Sequence, residues 1–447
     1  MDPKTVVILI DHKQRDLMSH ALLGFHLQQK GFKIFFEPVE AYRGCLAAHK
    51  PDLIIFNHLI ASHLAQYSQK LNRMGVRTAV IINEGLCYDD EVRDYNAGKH
   101  HKDAHIDLMF CWNKPFEEAV LSQRGDDISR VVTVGPPRHD FYFKPWSTLF
   151  KGGNDSRKKP NILFCTNFGL AKYFHYDKSE IDKVFASWSK SIPVCKDYWE
   201  VVKNHHDSQI RIREFINAVA SDDHYNITIR PHPREDPKQY VKWIDSLNYG
   251  ESVSVDSSSN ITELILDCDL LIGCQNCNTI LEGWVAGKPT IALEFNKHPL
   301  LNSPEVKAKS PTCKDPSQLP NLIQRELNDP AQDDYTPKRQ KHISKWLASP
   351  KGATNAKIAD EIGAFFGGVK KPNWSHLSLT DKRRGAKLRL LSCLGKPYNY
   401  NPIHPFLNWL LGGRHKLKID ILDKTVFPGE GEREISRIQT MVNGLAN

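Results

Sequence analysis

Short apolar runs alternate with helical patterns along the first 150 residues, and this alternation leaves few folds open. The run TVVILI at 5–10 is followed by a helical pattern at 14–31, and KIFFEP begins a second strand at 33. A parallel strand that is buried on both faces reads as a continuous apolar run, and helices between such strands cover the sheet. A doubly wound parallel sheet is therefore predicted, with further strands at 52–57, 77–83, 106–112 and 130–135.

The same alternation resumes after a polar segment. Residues 151–161, KGGNDSRKKPN, predict a linker because they are polar and rich in Gly and Lys. A helical stretch from about 338 to 366 ends the second half. The sequence predicts the α/β class, with two Rossmann-like doubly wound domains, a cleft between them and a basic helical C-terminal tail. The predicted segments are a first domain at 1–150, a second at 162–345, a closing helix at 346–366 and the tail at 367–447.

The positive charge belongs to the tail. The chain has 60 Lys and Arg against 52 Asp and Glu, a net charge of +8, and residues 367–447 carry an excess of the same size. This argues against a basic nucleic-acid cleft and for a tail that meets an anionic surface. The tail segment PFLNWLLGGRHKLK resembles an interfacial segment, with apolar anchors beside basic residues. Alternatively, its anchors pack a helix onto the main body; they are Phe406, Trp409, Leu410 and Leu411.

The N-terminal run at 5–10 is too short for a secretory signal. No window approaches the roughly 18 apolar residues that a membrane helix needs. We therefore expect a cytoplasmic protein whose tail is a candidate contact with the inner face of the cytoplasmic membrane.

Neither cysteine nor histidine spacing predicts a metal site. The ten cysteines follow no repeat, and the pair Cys274–Cys277 has no second pair at zinc-like spacing. We expect neither a metal nor a cofactor. Surface positions are predicted for the histidines in polar segments, which are His100, His101, His105, His205 and His206.

Ligands of open α/β sheets lie beyond the carboxyl ends of the strands, so the residues that follow each strand are the candidate binding residues. In GCQNCNTILEGWVAGKP, at 273–289, Asn276, Asn278 and Thr279 stand where a helix begins, with backbone N–H groups available to a phosphate. Glu282, about a turn further, could accept from ribose hydroxyls. The alternative is that Asn or Thr caps the helix and Glu282 complements its dipole.

The segment TIRPHPRED, 228–236, places Arg230, His232 and Arg234 at a strand end. An unpaired guanidinium at the end of a buried strand would be costly, and its planar fork suits a phosphate or carboxylate. The intervening prolines restrict the loop. We therefore predict an anion-binding loop; the alternative is a solvated loop with surface charges.

Strand ends of the first domain carry carboxylates that could act as general acid, base or nucleophile, or could only pin their loops. These candidates and two polar neighbours are Glu84 and Asp89 in NEGLCYDD, Arg138 and Asp140 in GPPRHD, and Asn167 in TNFGLAKY.

In this order, the motifs INEGLCYDD, VTVGPPRHD, NILFCTNFGLA, IRPHPRE and DLLIGCQNCNTILEGWVAGKP resemble those of bacterial surface carbohydrate biosynthesis proteins. These are GT-B glycosyltransferases that include the retaining β-Kdo transferases, and bacterial sialyltransferases are more distantly similar. The resemblance covers residues 5–366.

The resemblance implies a CMP-sugar donor, best guessed as CMP-Kdo, on the second domain. The acceptor, on the first domain, would be a surface polysaccharide or a lipopolysaccharide. It further implies that His232 and its neighbours hold the phosphate or carboxylate of the donor. Glu84 matches the acidic-Gly position of the family, and Asp140 matches the Asp of its Pro-Arg-x-Asp motif. For a retaining enzyme we hypothesise that Asp140 is the nucleophile and Glu84 the acid/base.

Two other functions remain open. A nucleotide-sugar epimerase of the same architecture would process its substrate without an acceptor. A carbohydrate-binding scaffold would keep the fold without catalysis, although it need not keep the strand-end carboxylates.

Overall fold

The protein divides into two compact units. Unit 1 comprises residues 1–86, 96–149 and 345–447, and unit 2 comprises residues 87–95 and 150–344. The structure is a computed structural model. It describes residues 3–99, 102–124, 128–150, 159–191, 196–221, 224–247, 252–274, 277–295, 298, 306, 308–329, 334–366, 371–400 and 426–446.

Unit 1 is built on β1 (Thr5–Ile10), β2 (Lys33–Pro38), β3 (Leu53–Phe56), β4 (Arg77–Ile81), β5 (Ile106–Cys111) and β6 (Ile128–Thr133). Among the described residues these strands form one parallel sheet in the order β2-β1-β3-β4-β5-β6. Strands β3 and β5 are buried at every position because helices cover both faces. The helices within this stretch are α1 (Lys13–Gln29), α2 (Tyr42–His49), α3 (Ser62–Arg73), α4 (Asp90–Lys99) and α5 (Lys114–Arg124).

Unit 2 repeats the design with β7 (Asn161–Cys165), β8 (Asn226–Arg230), β9 (Val253–Val255), β10 (Leu270–Cys274), β11 (Thr290–Leu293) and β12 (Thr312–Cys313). Their order within the described part is β12-β11-β10-β7-β8-β9, again parallel. The two sheets confirm the predicted class of two Rossmann-like, doubly wound domains. The helices are α6 (Lys178–Ser191), α7 (Tyr198–Ala220), α8 (Lys238–Asp245), α9 (Ile261–Asp267), α10 (Asn278–Val285), α11 (Leu319–Asn328) and α12 (Thr336–Trp346).

The described parts of the tail belong to unit 1. Three helices follow α12: α13 (Thr354–Phe365), α14 (Leu379–Cys393) and α15 (Glu430–Ala446). Helix α14 crosses α2 so closely that a Cβ at Gly385 would lie 2.8 Å from the Cβ of Ala47. Helices α13 and α15 both pack on α1.

The helical stretch expected to end the second half is thus divided, since α12 lies almost wholly in unit 2 and α13 in unit 1. Of the predicted linker, residues 151–158 lie outside the described residues, as do the tail anchors Phe406, Trp409, Leu410 and Leu411. Within the described ranges, every helix is too short or too polar to cross a lipid bilayer.

Each sheet has a point at which the strand order reverses. Strand β1 lies between β2 and β3, and β7 lies between β8 and β10. Open α/β sheets bind ligands at the carboxyl ends of the strands beside such a reversal. The residues that follow β1 and β3 in unit 1, and β7 and β10 in unit 2, therefore occupy the favoured positions.

Candidate functional site

Glu235, which the sequence pattern did not single out, joins the segments that follow β7 and β8. Its side chain is 8% exposed. Oε1 accepts hydrogen bonds from the Thr166 hydroxyl at 2.7 Å and the Phe168 backbone N–H at 2.9 Å. Oε2 accepts from the Tyr240 hydroxyl at 2.6 Å and from Gln209 Nε2 at 3.2 Å. One buried carboxylate thus fixes the strand-end loops to α7 and α8.

His232 lies in the loop that Glu235 holds. Its backbone N–H points to Thr166 Oγ1 at 3.3 Å and to Glu235 Oε1 at 3.2 Å. Its ring Nδ1 accepts from the Arg234 backbone N–H at 3.1 Å, so the neutral ring carries its proton on Nε2. A Cβ at Gly169 would lie 3.2 Å from that Nδ1 and 2.9 Å from the Arg234 Cβ, so this close approach requires glycine. The half-buried imidazole and the exposed Arg234 thus share a fixed loop.

Arg230 ends β8 as predicted, but its guanidinium has a partner within the protein. Nη1 donates to the Asp256 carbonyl at 3.0 Å and lies 3.7 Å from Asp256 Oδ1. The residue is 7% exposed. Burial lowers the pKa of Arg230, and the carboxylate of Asp256 opposes that shift. The guanidinium thus joins β8 to the segment after β9, and a ligand contact by Arg230 stays a prediction.

Helix α10 begins at Asn278 with Cys277 as the N-cap residue. No side-chain hydrogen bond from the described residues caps it, and Thr279 Oγ1 instead lies 2.9 Å from Cys277 Sγ. Asn278 and Thr279 occupy the first turn, where backbone N–H groups point outward. Glu282 lies one turn further and is 3% exposed. The predicted Asn276 lies outside the described residues.

The first turn of α10 and the loop after β7 lie at the same strand-end edge. Burial raises the pKa values of the Cys165 thiol at the end of β7 and the Cys274 thiol at the end of β10. The Thr279 side chain opposes that shift at Cys165 and the Asn167 backbone opposes it at Cys274, so each group lies next to one of these strand ends. Asn167 is half-buried there. The structure therefore places three predicted elements in unit 2 beside the β7/β10 reversal: the α10 turn, Asn167 and the loop that carries His232.

His205 of α7 lies close to this edge, and the prediction of a surface histidine is wrong for it. The residue is 5% exposed, and its Nδ1 has no hydrogen-bond partner among the described residues. Gln209, one turn later on α7, bonds Glu235. Burial lowers the pKa of His205 from 6.5 to about 4. The neighbouring His232 adds to that shift, and a hydrogen bond to the Asn167 backbone opposes it. His205 is therefore neutral near pH 7.

This buried neutral histidine predicts acid sensitivity of unit 2. Between pH 6.5 and about 4 the unfolded chain binds a proton at His205 that the folded chain excludes, so stability falls as the pH falls. Across this whole window the free energy of unfolding falls by about 3 kcal/mol because of His205. We expect His205→Gln to flatten the pH dependence of the melting temperature in this window. The exposed-site control His224→Gln should keep the full slope, and an equal slope in both variants would contradict the prediction.

In unit 1, a charged cluster follows β1. Arg15 Nη2 donates to Asp11 Oδ2 at 2.7 Å and Arg15 Nε to Asp16 Oδ1 at 2.7 Å. Burial disfavours the charge of Arg15, but Asp16, Glu84 and Asp11 together raise its pKa. Arg15 Nη1 also lies 3.5 Å from Glu84 Oε1, and the Glu84 side chain is 75% exposed. The predicted acid/base is thus an accessible carboxylate beside a permanent cation.

Asn83 links four strand ends of unit 1. Its Nδ2 donates to Asp16 Oδ2 at 3.2 Å, and its Oδ1 accepts from Asn57 Nδ2 at 3.0 Å. The predicted Arg138 donates from Nη1 to the Asn83 carbonyl at 3.3 Å, and its guanidinium lies 4.8 Å from the centre of the Trp112 ring. The structure therefore brings Glu84 and Arg138 to the same edge of the first sheet.

Asp140 lies inside unit 1. It is fully buried, and its Oδ1 accepts from the Thr354 backbone N–H at 2.9 Å. Oδ2 accepts from the backbone N–H and the Nδ2 of Asn355, both at 2.8 Å. Burial raises the pKa of Asp140, and these hydrogen bonds oppose the shift. Asp140 thus anchors the start of α13, and attack on a substrate would require these bonds to break.

Asp89 lies in the short segment 87–95 that belongs to unit 2. Its Oδ1 accepts from the Val92 backbone N–H at 2.9 Å, at the start of α4. Its side chain is exposed. This contact is that of a helix cap.

Four further residues belong to these two edges: Arg15, Asp16, His205 and Glu235. Arg15 and Asp16 lie in the first turn of the helix that follows β1, so the expectation that ligands bind beyond strand ends also applies to them. Glu235 lies within the TIRPHPRED segment. His205 had no comparable signal, because it lies in the middle of a long helix. In the described residues, no group of three or more His, Cys, Asp or Glu side chains is arranged to hold a metal ion.

Comparison with solved structures supports the fold. A protein assigned as a UDP-N-acetylglucosamine 2-epimerase from Listeria monocytogenes is 11% identical, with a TM-score of 0.50; the match covers 83% of this chain and 99% of that one. Another UDP-N-acetylglucosamine 2-epimerase is 10% identical, also with a TM-score of 0.50, over 82% and 96% of the two chains. At these identities the likeness shows the two-domain, GT-B-type fold alone. No protein-family model and no curated protein matches the sequence.

Proposed function

We propose that this chain is an enzyme that acts on a nucleotide sugar, with glycosyl transfer as its reaction. One observation carries the proposal: beside the β7/β10 reversal, the His232 loop is held by the buried Glu235 and lies at the same edge as the first turn of α10. Such an edge can bind an anion without first ordering its own groups.

The residues of this edge suit the parts of a nucleotide sugar. Backbone N–H groups at Asn278 and Thr279 would face a phosphate, and His232 can donate from Nε2. Arg234 supplies an exposed cation that could bind a second anionic group. Glu282 is 3% exposed, so its carboxylate would have to become accessible before it could accept from ribose hydroxyls.

The donor we put first is CMP-Kdo or a related ulosonic acid, because such a sugar carries a carboxylate as well as a phosphate. The acceptor would be a growing surface polysaccharide or lipopolysaccharide, bound on unit 1. Glu84, exposed beside Arg15, is our candidate acid/base, with Arg138 at the same edge. We assign Asp140 to the structure of unit 1 because both its oxygens are bonded to the start of α13.

Nucleotide-sugar epimerisation is the second candidate, and the two structures of the same fold favour it because both are described as UDP-N-acetylglucosamine 2-epimerases. An epimerase converts its nucleotide sugar when no acceptor is present. A new nucleotide sugar formed from the donor alone would therefore select this reaction, whereas consumption of the donor only with an acceptor would select transfer.

Ligand-induced stabilisation tests the nucleotide site. A ligand that binds only the folded state raises the free energy of unfolding, by about 2.7 kcal/mol at a concentration of 100 times Kd. The melting temperature therefore rises. We expect one of CMP, UDP or GDP to stabilise the protein, and CMP in particular for the ulosonic-acid donor. Stabilisation by UDP and UDP-sugars alone would favour the epimerase, and no stabilisation by any nucleotide would contradict both enzymes.

The His232→Ala variant tests the position of this site. Loss of one hydrogen bond to a charged phosphate should weaken nucleotide binding about 10- to 100-fold. His224→Ala, in the exposed segment before β8, serves as the control and should bind as the unaltered protein does. Equal affinities in the two variants would place the nucleotide elsewhere.

A further inference from the structure

We propose that the outward face of α14, together with the adjoining cavity beside α3, is a docking surface for an anionic lipid bilayer. It joins an exposed leucine stripe, flanking basic side chains and a pocket lined by cations. This assignment is independent of the reaction, and the surface is formed by described residues of the tail, α2 and α3.

The apolar part of the surface is a stripe of leucines. Leu379, Leu390 and Leu394 are 73%, 62% and 61% exposed. They recur at helical spacing with the exposed Arg383 and Ala386 between them, so they share one side of the helix. Three leucines exposed on one helix face are not explained by packing within unit 1.

The inner side of α14 packs against unit 1, and this packing holds the leucine stripe outward. Asp381, Gly385, Leu388 and Leu391 are buried on the inner side of the helix. Leu388 belongs to the core of unit 1, and Asp381 forms an ion pair with Lys70 of α3. The outer face is therefore carried on a packed helix whose orientation the core determines.

Basic side chains surround the stripe. Lys382, Arg383 and Lys387 are exposed, and no carboxylate of the described residues forms an ion pair with them. Arg389 is also exposed, but its Nη2 donates to the carbonyls of Ala47 and Ala48 in α2. Leucines with lysine and arginine beside them are typical of helices that lie in the interface of an anionic membrane. The positive charge of the surface complements phosphate headgroups, so an anionic bilayer fits it as occupant.

The cavity lies at the first turn of α14, beside Leu379. It has a volume of about 300 Å³ and is lined by Arg43 of α2, by Lys70 and Arg73 of α3, and by Ser378 and Asp381 at the start of α14. Asp381 pairs with Lys70 and accepts from the Ser378 hydroxyl, so Arg43 and Arg73 are the lining cations that Asp381 does not pair with. Arg43 Nε is buried and has no hydrogen-bond partner among the described residues. Two guanidinium groups, those of Arg43 and Arg73, are suited to a phosphate group, so the cavity can take a lipid headgroup next to the leucine stripe.

Cosedimentation of the full chain with vesicles tests the proposal. The protein should pellet with phosphatidylcholine vesicles that contain phosphatidylglycerol, and much less with phosphatidylcholine alone. Removal of two charges in Lys382→Ala/Arg383→Ala should lower the partition coefficient about 30-fold. Leu390→Ser/Leu394→Ser should lower it as well. The matched control Lys203→Ala/Lys242→Ala removes two exposed lysines of unit 2 and should leave it within about twofold.

Other occupants give different results. If a second copy covers the face, the leucine variant will change the elution volume from dimer to monomer, and vesicle binding will not follow the lysine and arginine variants. If residues 401–425 cover it, the leucine variant will lower the melting temperature without reducing sedimentation. Either result, or equal pelleting with the two kinds of vesicle, would overturn the proposal.

Discussion

Glu235→Ala is expected to lower the free energy of unfolding of unit 2 by about 3–5 kcal/mol. The substitution leaves the hydroxyls of Thr166 and Tyr240 and the backbone N–H of Phe168 without their acceptor in a buried site. Each buried donor that loses its partner costs about 1–3 kcal/mol. Because His232 also donates to this carboxylate, we expect the variant to lose nucleotide binding at temperatures where it remains folded.

Two further variants serve as comparisons for Glu235→Ala. One keeps the shape of the side chain without its charge, and the other removes an exposed carboxylate elsewhere in unit 2. Glu235→Gln keeps the shape but turns an N–H₂ group toward donors, so an intermediate loss of stability is expected. Glu214→Ala removes an exposed carboxylate, paired with Arg211 at 3.6 Å, and should change stability by less than about 1 kcal/mol. Chemical denaturation monitored by a unit 2 tryptophan is the measurement. An effect of Glu235→Ala as small as that of the control would show that the carboxylate does not hold the loops.

Asp140→Asn is expected to destabilise unit 1 by about 2–4 kcal/mol while the turnover of the folded fraction is kept. An amide cannot accept on both sides, so it places an N–H₂ group against the backbone donors of Thr354 and Asn355. A nucleophile would give the opposite result, since its loss removes turnover without changing the melting temperature.

Asp360→Asn is the matched control for Asp140→Asn, because Asp360 lies on α13 itself but is exposed. Its carboxylate pairs with Lys30 at 2.6 Å, and its side chain is 68% exposed. We expect a change within about 1 kcal/mol. An unaltered melting temperature for Asp140→Asn, together with a turnover reduced at least 1,000-fold, would return Asp140 to the mechanism.

The fold was predictable because its signal is local. Strands such as β5, buried at all six positions, must be apolar throughout, and helices of the intervening length must cover them. The placement of α13 and α14 was not predictable in the same way. Their partners α1 and α2 lie at the other end of the chain, and no short-range pattern records which helix a second helix will pack against.

The site was predictable to the level of segments. Residues after β4, β7, β8 and β10 were identified because the carboxyl ends of parallel strands meet at one edge. The roles within each segment were not. In TIRPHPRED, Arg230 was predicted to bind an anion but donates to Asp256, whereas Glu235 accepts the hydrogen bonds that hold the loop.

The sequence by itself determined the two parallel sheets, the strand-end positions of the polar clusters and the positive charge of the tail, since each follows from residue type and spacing. Only the tertiary structure decided which charged groups face one another. The Asp140 carboxylate meets Asn355 and the Glu235 carboxylate meets Thr166 across long stretches of chain. Contacts of this kind depend on how the helices pack against the sheets, and this distinguishes a carboxylate that holds the fold from one that is exposed to solvent.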